Sequence, residues 1–361
     1  MNKDHKRVAD CVLISRNPKA GRNPTAAMAD RLRECLVSRG YNAEVLTDLD
    51  AVGRRANELF QAGRLKVLVG VGGDGTAAEL ANRTVPGTPI TLLPAGTANL
   101  IAKEYRLPSS PEKSAEMIDT GSTLTLDAGR ANGRLFLVLM SAGIDADIVE
   151  RVHARRETSF RANNAKGGHI GYHSYIAPVF ESVAQYTYPG IQVVKNPDMN
   201  GGTGSPEEKT LLKPFKWVFL YNIPRYGFGC ALAVDCFPGD GQLDFCGFRR
   251  RGLFSSLANL FFAQFGLHRF LPNTGLAHAE RFRFEAVPGE PSARIPYQLD
   301  GDPCGFLPVE IEAVPKRFTI LVPFNVAKRH LKKGEAQWRK LQAIQPEVNH
   351  VPVASGVEER V

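Results

Sequence analysis

The chain has 361 residues, of which 43% are hydrophobic, and its 45 Lys and Arg against 37 Asp and Glu give a formal net charge of +8. This length and composition predict about two folded domains and exclude a globally disordered chain. The charge suits a phosphate-bearing partner such as a nucleotide or an anionic membrane. The basic residues are scattered, with no aromatic and basic ladder, so we expect no nucleic-acid partner.

The chain between residues 11 and 105 alternates strands and helices. Strands are predicted at 11–15, 43–46, 65–69 and 90–93, and helices at 24–38, 51–62, 76–83 and 98–105. This alternation is typical of a parallel sheet with helices on both faces, where ligands bind beyond the carboxyl ends of the strands. Three polar or glycine-rich turns follow such strand ends, at 16–22, 70–76 and 94–99. We therefore expect the three turns to converge on one site.

The pattern changes near residue 123, where strands outnumber helices. Strands are predicted at 123–128, 135–140, 217–222, 243–248, 282–287, 295–298, 309–313 and 318–322. Such a series predicts an antiparallel β-sandwich. The predicted fold class is thus α/β, with a parallel-sheet α/β domain over 1–122 followed by an antiparallel β-sandwich domain over 123–323. A basic helix at about 324–345 is expected to pack back on the first domain, and 346–361 to form a frayed tail.

The sequence shows neither a signal peptide nor an apolar run long enough to span a bilayer. Six cysteines lack CxxC or zinc spacing, which is typical of a reduced protein. These features predict a cytoplasmic protein whose membrane contact is peripheral.

The glycine-rich turn after the third strand carries the clearest chemical signal. It reads Gly70-Val71-Gly72-Gly73-Asp74-Gly75-Thr76. Glycines let backbone N–H groups approach a ligand, and the helix that follows favours an anion at its N-terminus. A carboxylate beside that anion calls for a divalent cation between them. The turn therefore predicts nucleotide phosphate together with Mg²⁺.

Two common nucleotide-binding motifs do not fit this turn. Gly70-x-Gly72-x-x-Gly75 satisfies GxGxxG, yet the strand about 20 residues further on, at 90–94, has no carboxylate for a ribose. No Gly-Lys-Ser/Thr ending follows either, so a Walker-type P-loop is excluded.

Three motifs together resemble the diacylglycerol kinase and sphingosine kinase superfamily, in its soluble bacterial lipid-kinase branch. They are residues 72–76, residues 17–22 (Asn-Pro-Lys-Ala-Gly-Arg) and residues 94–99 (Pro-Ala-Gly-Thr-Ala-Asn). The resemblance implies transfer of the ATP γ-phosphoryl group to a lipid hydroxyl, with Mg²⁺, in a cleft between the two domains. It also allows a homodimer. The implied nucleotide contacts are Asn17, Pro18, Lys19, Ala20, Gly21, Thr47, Gly72, Gly73, Gly75, Thr76, Glu79, Thr97, Asn99 and Asp302.

The same resemblance extends to two motifs in the second half. Asp240 and the carbonyl of Gln242, in a Gly-Asp-Gly-x-Leu-Asp turn, would help hold Mg²⁺. Asp300, in Leu-Asp-Gly-Asp, would be the general base, while Asp74 would act through the metal. Taken alone, Asp240-Gly241 and Asp300-Gly301 are also common hairpin turns. Likewise, Thr97 and Asn99 could be ordinary helix-capping residues.

Three departures from the family pattern leave alternatives open. Ala78 and Leu100 replace an amide and a carboxylate, and Asp302 is one methylene shorter than the usual glutamate. The acceptor is expected to be diacylglycerol or a sphingoid or ceramide-like lipid. The alternatives are an NAD kinase-like enzyme, which shares Gly-Gly-Asp-Gly, and a nucleotide-gated lipid-binding regulatory protein of weak activity.

One further segment, 249–270, is basic at its start and then strongly apolar. It is predicted to contain a helix over 253–267. Such a helix could dock on an anionic membrane or cover a sheet, and the covering role is favoured.

Overall fold

The computed structural model describes residues 9–16, 25–162, 176–197, 210–224, 236–250, 252, 255, 258–259, 261–262, 265–289 and 294–344. Within these residues, no helix is both long and apolar enough to cross a membrane.

The first part of the chain is a parallel α/β unit, as predicted. Its elements are β1 (Cys11–Arg16), α1 (Thr25–Ser38), β2 (Asn42–Leu46), α2 (Leu49–Gln61), β3 (Leu65–Gly72), α3 (Asp74–Arg83), β4 (Pro89–Pro94), α4 (Leu100–Glu104) and α5 (Pro111–Thr120). The strands run in the order β2-β1-β3-β4 and are all parallel. Their carboxyl ends therefore meet at one edge, which carries the turns after β3 and β4.

Successive side chains of the buried strands point to opposite faces of the sheet and pack against helices on both faces. Val67, Val69 and Val71 pack in one cluster with α1 and α5, whereas Leu68 packs in another with α2 and α3. A strand that is buried on both faces needs a continuous apolar run, and β3 has one.

The second part of the chain is rich in antiparallel strands. Its elements are β5 (Ser122–Ala131), β6 (Arg134–Phe136), β7 (Leu139–Gly143), α6 (Ile144–Ala162), α7 (Ile176–Gln185), β8 (Ile191–Lys195), β9 (Thr210–Phe215), β10 (Trp217–Tyr221), β11 (Leu243–Phe248), a 3₁₀ turn (Leu267–Phe270), β12 (Thr274–Ala279), β13 (Arg281–Ala286), β14 (Pro296–Leu299), β15 (Asp302–Phe306), β16 (Val309–Val322) and α8 (Phe324–Ile344). Six of these strands form one sheet in the order β12-β11-β10-β7-β14-β15. Phe245 from that sheet packs on Phe282 and Phe284 from β13 in the other sheet, which gives the predicted sandwich core.

The ten-stranded sheet joins the two units. It runs β2-β1-β3-β4-β16-β13-β8-β9, with β5 on β16 and β6 on β5. Strand β16 pairs in parallel with β4 and antiparallel with β5 and β13. The Thr91 hydroxyl also donates to the Leu321 carbonyl oxygen at 2.9 Å. The backbone ladder is thus continuous across the predicted division at 122/123.

Several predicted elements differ from the observed ones. The two strands expected at 309–313 and 318–322 are one strand, β16, with a bulge between Val314 and Phe318. The single strand expected at 135–140 is split into β6 and β7, because the backbone N–H groups at this break bind the Asp300 carboxylate. Helices α5 and α7 and strands β8, β9, β12 and β15 were not predicted. The helix expected over 253–267 falls partly outside the described residues.

The C-terminal helix contacts both units. His330 of α8 lies between Tyr105, which follows α4, and Phe237, with ring centroids 6.2 and 4.8 Å away. Burial and the nearby Lys333 ammonium lower the pKa of His330. A neutral imidazole suits this aromatic contact.

Candidate active site

The turns after β3 and β4 lie against each other. The Ala95 amide donates to the Gly72 carbonyl oxygen at 2.9 Å. Gly73 and Gly96 approach so closely that a Cβ built on Gly96 would lie 2.7 Å from the Gly73 Cα atom. The expected convergence of these two turns is therefore observed. The turn over 17–21 (Asn17, Pro18, Lys19, Ala20 and Gly21) lies outside the described residues.

We call residues 70–76 the phosphate turn, after their predicted ligand. Its glycines are needed for different structural reasons. A Cβ on Gly72 would lie 2.1 Å from the Thr76 hydroxyl oxygen, so this glycine is required by packing. A Cβ on Gly75 would meet nothing nearer than the Asp302 carboxylate, at 3.4 Å. Gly75 is thus free of packing constraint, and its bare backbone stays open to a ligand.

Two backbone amides hold the Asp74 carboxylate. Asp74 is 8% exposed, and its carboxylate accepts hydrogen bonds from the Leu100 and Ile101 amides, both at 2.9 Å. The N–H groups in the first turn of α4 have no acceptor within the helix, and Asp74 supplies one for each of these two. Burial raises the pKa of Asp74, while the two amide bonds counteract that rise. The sequence also allows that Asp74 only stabilises its local structure, and these two bonds give it such a role at the start of α4. Its action through a metal stays a prediction.

Replacing Asp74 with Asn should destabilise the protein by about 2 kcal/mol. The amide side chain has only one acceptor oxygen, so one buried backbone N–H loses its partner. Thermal and urea unfolding would measure the loss. Asp48→Asn, at the N-cap of α2, is the matched control, because Asp48 accepts only from the Ala51 amide and Asn keeps that bond. Equal stability of Asp74→Asn and wild type would contradict the capping role.

Asn99 closes its own turn. Its side-chain oxygen accepts from the Gly96 amide at 3.0 Å, and its amide nitrogen donates to the Gly96 carbonyl oxygen at 2.7 Å. Asn99 occupies the N-cap position of α4 without a side-chain capping bond. The capping alternative for Asn99 was therefore wrong, since Asp74 fills that role, and Asn99 shapes the turn that carries Thr97.

Two further residues that are predicted to contact a nucleotide lie at the start of a helix and after the end of a strand. Thr76 is buried in the first turn of α3, and Thr47 is exposed directly after β2. Their predicted contacts with a nucleotide are not tested.

Asp300 occupies the turn between β14 and β15. One carboxylate oxygen accepts from the Leu137 amide at 2.7 Å, and the other accepts from the Val138 and Leu139 amides at 2.9 and 3.0 Å. Burial of the carboxylate raises the pKa of Asp300 to about 7 even though the three amide bonds oppose the shift. The negative charge of Asp74 adds to the increase. The Asp74 and Asp300 carboxylates of the two units thus interact electrostatically across the cleft.

A chain of ion pairs crosses the same cleft. Arg134 of β6 has its Nη2 atom 2.9 Å from the Glu79 carboxylate and 3.7 Å from the Asp302 carboxylate. Glu79 also pairs with Arg83 within α3. These contacts make Glu79 and Asp302 part of a bridge between the phosphate turn and the Asp300 turn, whereas the sequence predicted nucleotide contacts. Arg134 was missed, since an isolated arginine in a hairpin carries no sequence signal.

A buried polar network supports the Asp300 turn from behind. The Gly301 amide donates to the Gln298 side-chain oxygen at 2.7 Å, and the Gln298 amide nitrogen donates to the Ser141 hydroxyl at 2.9 Å. Ser141 in turn donates to Asp145 at the start of α6. His153 Nε2 lies 3.0 Å from the Gly301 carbonyl oxygen. The sequence did not predict this network, because its members are distant along the chain.

The predicted metal turn is held by Asp127. Its carboxylate accepts from the Gly241 amide at 2.7 Å and from the Lys316 amide at 2.8 Å. Asp240 accepts from the Gln242 amide at 3.0 Å. Burial, together with the negative charges of Asp244 and Asp127, raises the pKa of Asp240 to about 6. Oxygen donors under like-charge repulsion suit a hard cation. Among the described residues, however, no three His, Cys, Asp or Glu side chains are grouped as metal ligands.

The two turns at the sheet edge, with the Asp300 carboxyl near Asp74, form an arrangement suited to an enzyme of the kinase class. Comparison with known proteins gives the same class. Residues 11–131 match the diacylglycerol kinase catalytic domain. A protein of Mycobacterium tuberculosis named "Diacylglycerol kinase" is 28% identical over 319 residues, which cover 85% of this chain and 93% of that one. A Pseudomonas aeruginosa protein named "Probable lipid kinase YegS-like" is 32% identical over 141 residues, or 38% and 45% of the two chains. The chain is therefore similar to lipid kinases, and residues 11–131 match the catalytic domain of the diacylglycerol kinase family.

The overall fold is similar to that of a solved structure. A crystal structure of a diacylglycerol kinase from Bacillus anthracis superposes with a TM-score of 0.61 at 17% identity, covering 87% of this chain and 96% of that one. The agreement spans both units, so the similarity in fold extends beyond the catalytic-domain match.

Proposed function

We propose that this protein transfers the γ-phosphoryl group of ATP, with Mg²⁺, to the hydroxyl of a membrane lipid of the diacylglycerol or sphingoid and ceramide-like class. The observation that carries the proposal is the Asp300 carboxylate, whose pKa is near 7 and which faces the phosphate turn across the cleft. A base of that pKa can accept the proton of an attacking hydroxyl at neutral pH.

The other residues would position the phosphates. Phosphoryl transfer depends chiefly on alignment and on neutralising charge. The backbone at Gly73 and Gly75 and the N-terminus of α3 offer N–H groups to the phosphates, and Thr76 and Thr97 offer hydroxyl groups. The bridge from Glu79 through Arg134 to Asp302 would keep the Asp300 turn at a fixed distance from them.

Mg²⁺ would supply charge neutralisation at the phosphates. Asp74 has carboxylate oxygens at the phosphate turn and would help hold this ion. A second position for the cation is Asp240 with the Gln242 carbonyl, where a bound cation would relieve the repulsion among Asp240, Asp244 and Asp127. With few protein ligands at either place, Mg²⁺ would keep several of its waters.

No observation favours the two alternatives over this proposal. An NAD kinase would need a second nucleotide site, whereas the relative with high coverage is named for a lipid substrate. The regulatory alternative rested partly on Asp302, yet Asp302 lies next to Gly75 and pairs with Arg134, so the shorter side chain still reaches the cleft.

The test is transfer of labelled phosphate from γ-labelled ATP to lipids in mixed micelles. The panel contains diacylglycerol, monoacylglycerol, ceramide, sphingoid base and phosphatidylglycerol, with and without Mg²⁺, and NAD is assayed separately. One labelled lipid that requires Mg²⁺ would identify the acceptor. Labelled NAD, or ATP binding without any transfer, would contradict the proposal.

A further inference from the structure

The segment 249–279 has an unusual charge composition. It contains four arginines, at 249, 250, 251 and 269, and neither Asp nor Glu. Because 37 of the 361 residues are acidic, a segment of 31 residues would ordinarily carry about three. This part of the chain is therefore purely cationic, apart from its histidines.

The same segment carries most of the large hydrophobic side chains that are exposed in the described part of the chain. Of the eight large hydrophobic side chains that are exposed among the described residues, five lie here: Phe261, Phe265, Leu267, Phe270 and Leu276. The three phenylalanines are 63%, 64% and 76% exposed. Phe261 and Phe265 are in edge-to-face contact, with ring centroids 5.4 Å apart. We call these five residues the phenylalanine surface.

The segment is anchored by its opposite face. His268 is 1% exposed and packs against Phe248, and Asn259 is 2% exposed and accepts from the Asn273 side chain at 3.1 Å. Arg249 lies over the Phe215 ring, 4.9 Å from its centroid. The favoured covering role thus describes the inner face of the segment, and it leaves the outer face to be explained.

We propose that the phenylalanine surface, together with the exposed Arg250 and Arg269 of the same segment, docks the enzyme on an anionic membrane. Exposed aromatic side chains insert at the boundary between headgroups and acyl chains, while arginines bind anionic headgroups. A second copy of the chain fits less well. A twofold contact would bring arginines of both copies together, and the segment offers no carboxylate to pair them. The inference deepens the proposed function, on which it rests for its purpose.

The phenylalanine surface is separated from the transfer site. Asp300 follows Leu299 at one end of the six-stranded sheet, the end that carries Leu139, Tyr221 and Leu243. The segment leaves and re-enters the sheet at the other end, next to Phe248 and Thr274. Strand β11 has six residues, and at about 3.4 Å per residue the two ends are roughly 20 Å apart. Substitutions in the surface should therefore leave the chemistry unchanged.

The experiment is co-sedimentation of the full-length protein with vesicles of phosphatidylcholine alone and with 30% phosphatidylglycerol, in the absence of ATP. We expect wild type to bind the anionic vesicles, and the double variant Phe261→Gln/Phe265→Gln to bind them at least tenfold more weakly. Arg250→Gln/Arg269→Gln should lose the preference for phosphatidylglycerol. The matched control is Arg33→Gln/Val37→Gln, which removes an exposed arginine and an exposed apolar side chain from α1 and should bind like wild type.

Each other outcome has a defined meaning. No binding by wild type, or undiminished binding by the phenylalanine variant, would overturn the docking surface. So would a change from dimer to monomer on gel filtration of that variant, because the surface would then be an interface between copies. Kinase activity on a short-chain, monomeric diacylglycerol should be the same in all variants. If neither wild type nor any variant phosphorylates a lipid, but vesicle binding still depends on the phenylalanines, the proposed function fails and the docking surface stands.

Discussion

Replacing Asp300 with Asn is expected to lower kcat/KM for phosphoryl transfer by roughly 100- to 10,000-fold, the range for loss of a general base. Asn tolerates the left-handed backbone of residue 300, where φ is 51°, so the turn itself can persist. ATP binding should change little, since the phosphates are proposed to bind the backbone after β3, whereas Asp300 is proposed to act on the acceptor hydroxyl. Titration of ATP binding and labelled transfer, measured on the same preparation, separate the two effects.

The pH dependence gives a sharper test of Asp300. A carboxyl with a pKa of about 7 keeps its proton below that pH and cannot accept another, so wild-type kcat/KM should fall about tenfold per pH unit below 7. The raised pKa also means that the folded state favours the protonated form. This contribution to stability is present below pH 4 and is lost as the pH rises through 7.

The control for Asp300 is Asp302→Asn. Asp302 lies two residues further on but pairs with Arg134, so its loss should weaken the bridge between the units and leave the apparent pKa near 7 in place. An unchanged rate for Asp300→Asn, or disappearance of the pH dependence in Asp302→Asn instead, would place the base elsewhere.

Replacing Gly96 with Ala should destabilise the protein by about 1–3 kcal/mol and weaken ATP binding at least tenfold. The new Cβ would lie 2.7 Å from the Gly73 Cα atom and 2.9 Å from the Asn99 side-chain oxygen. The first of these atoms belongs to the backbone, so the two turns must separate. That movement shifts the N-terminus of α3, where the phosphates are proposed to bind. Calorimetry with ATP and thermal unfolding would measure both effects.

Gly75→Ala separates packing from ligand approach. Its Cβ meets only the Asp302 carboxylate at 3.4 Å, so folding stability should be equal to wild type or slightly higher. ATP binding should nevertheless weaken, because the methyl group occupies the open side of the turn. Wild-type stability of Gly96→Ala would disprove the close contact, and wild-type ATP binding by Gly75→Ala would remove Gly75 from the phosphate site.

Local patterns predicted the first unit well, because each signal lies within a short stretch. The apolar runs of β1, β3 and β4 and the helices between them were found within a few residues of their observed bounds. The glycine-rich turns were placed at the carboxyl edge of the sheet, because each turn directly follows a strand and parallel strands all end at the same edge.

The second unit was predicted less completely, for a physical reason. The short edge strand β12 has a mixed composition, and its pairing energy comes from a distant partner. The division between β6 and β7 was missed because Leu137 and Val138 are apolar and read as strand. Their amides turn toward Asp300, 162 or more residues away in sequence. Non-local hydrogen bonds of this kind leave no periodicity to detect.

The sequence by itself determined the class of the protein and the identity of its chemical groups. Glycines next to a carboxylate after a buried strand, repeated by a second turn after the next strand, are enough to indicate a phosphate site. Only the tertiary structure decided what each carboxylate does. It turned Asp74 toward the amides of α4, it surrounded Asp300 with three amides in a desolvated turn, and it linked Glu79 to Asp302 through Arg134. Charge and hydrogen bonding in a cleft depend on which distant residues meet there, and that is fixed by packing of the two units.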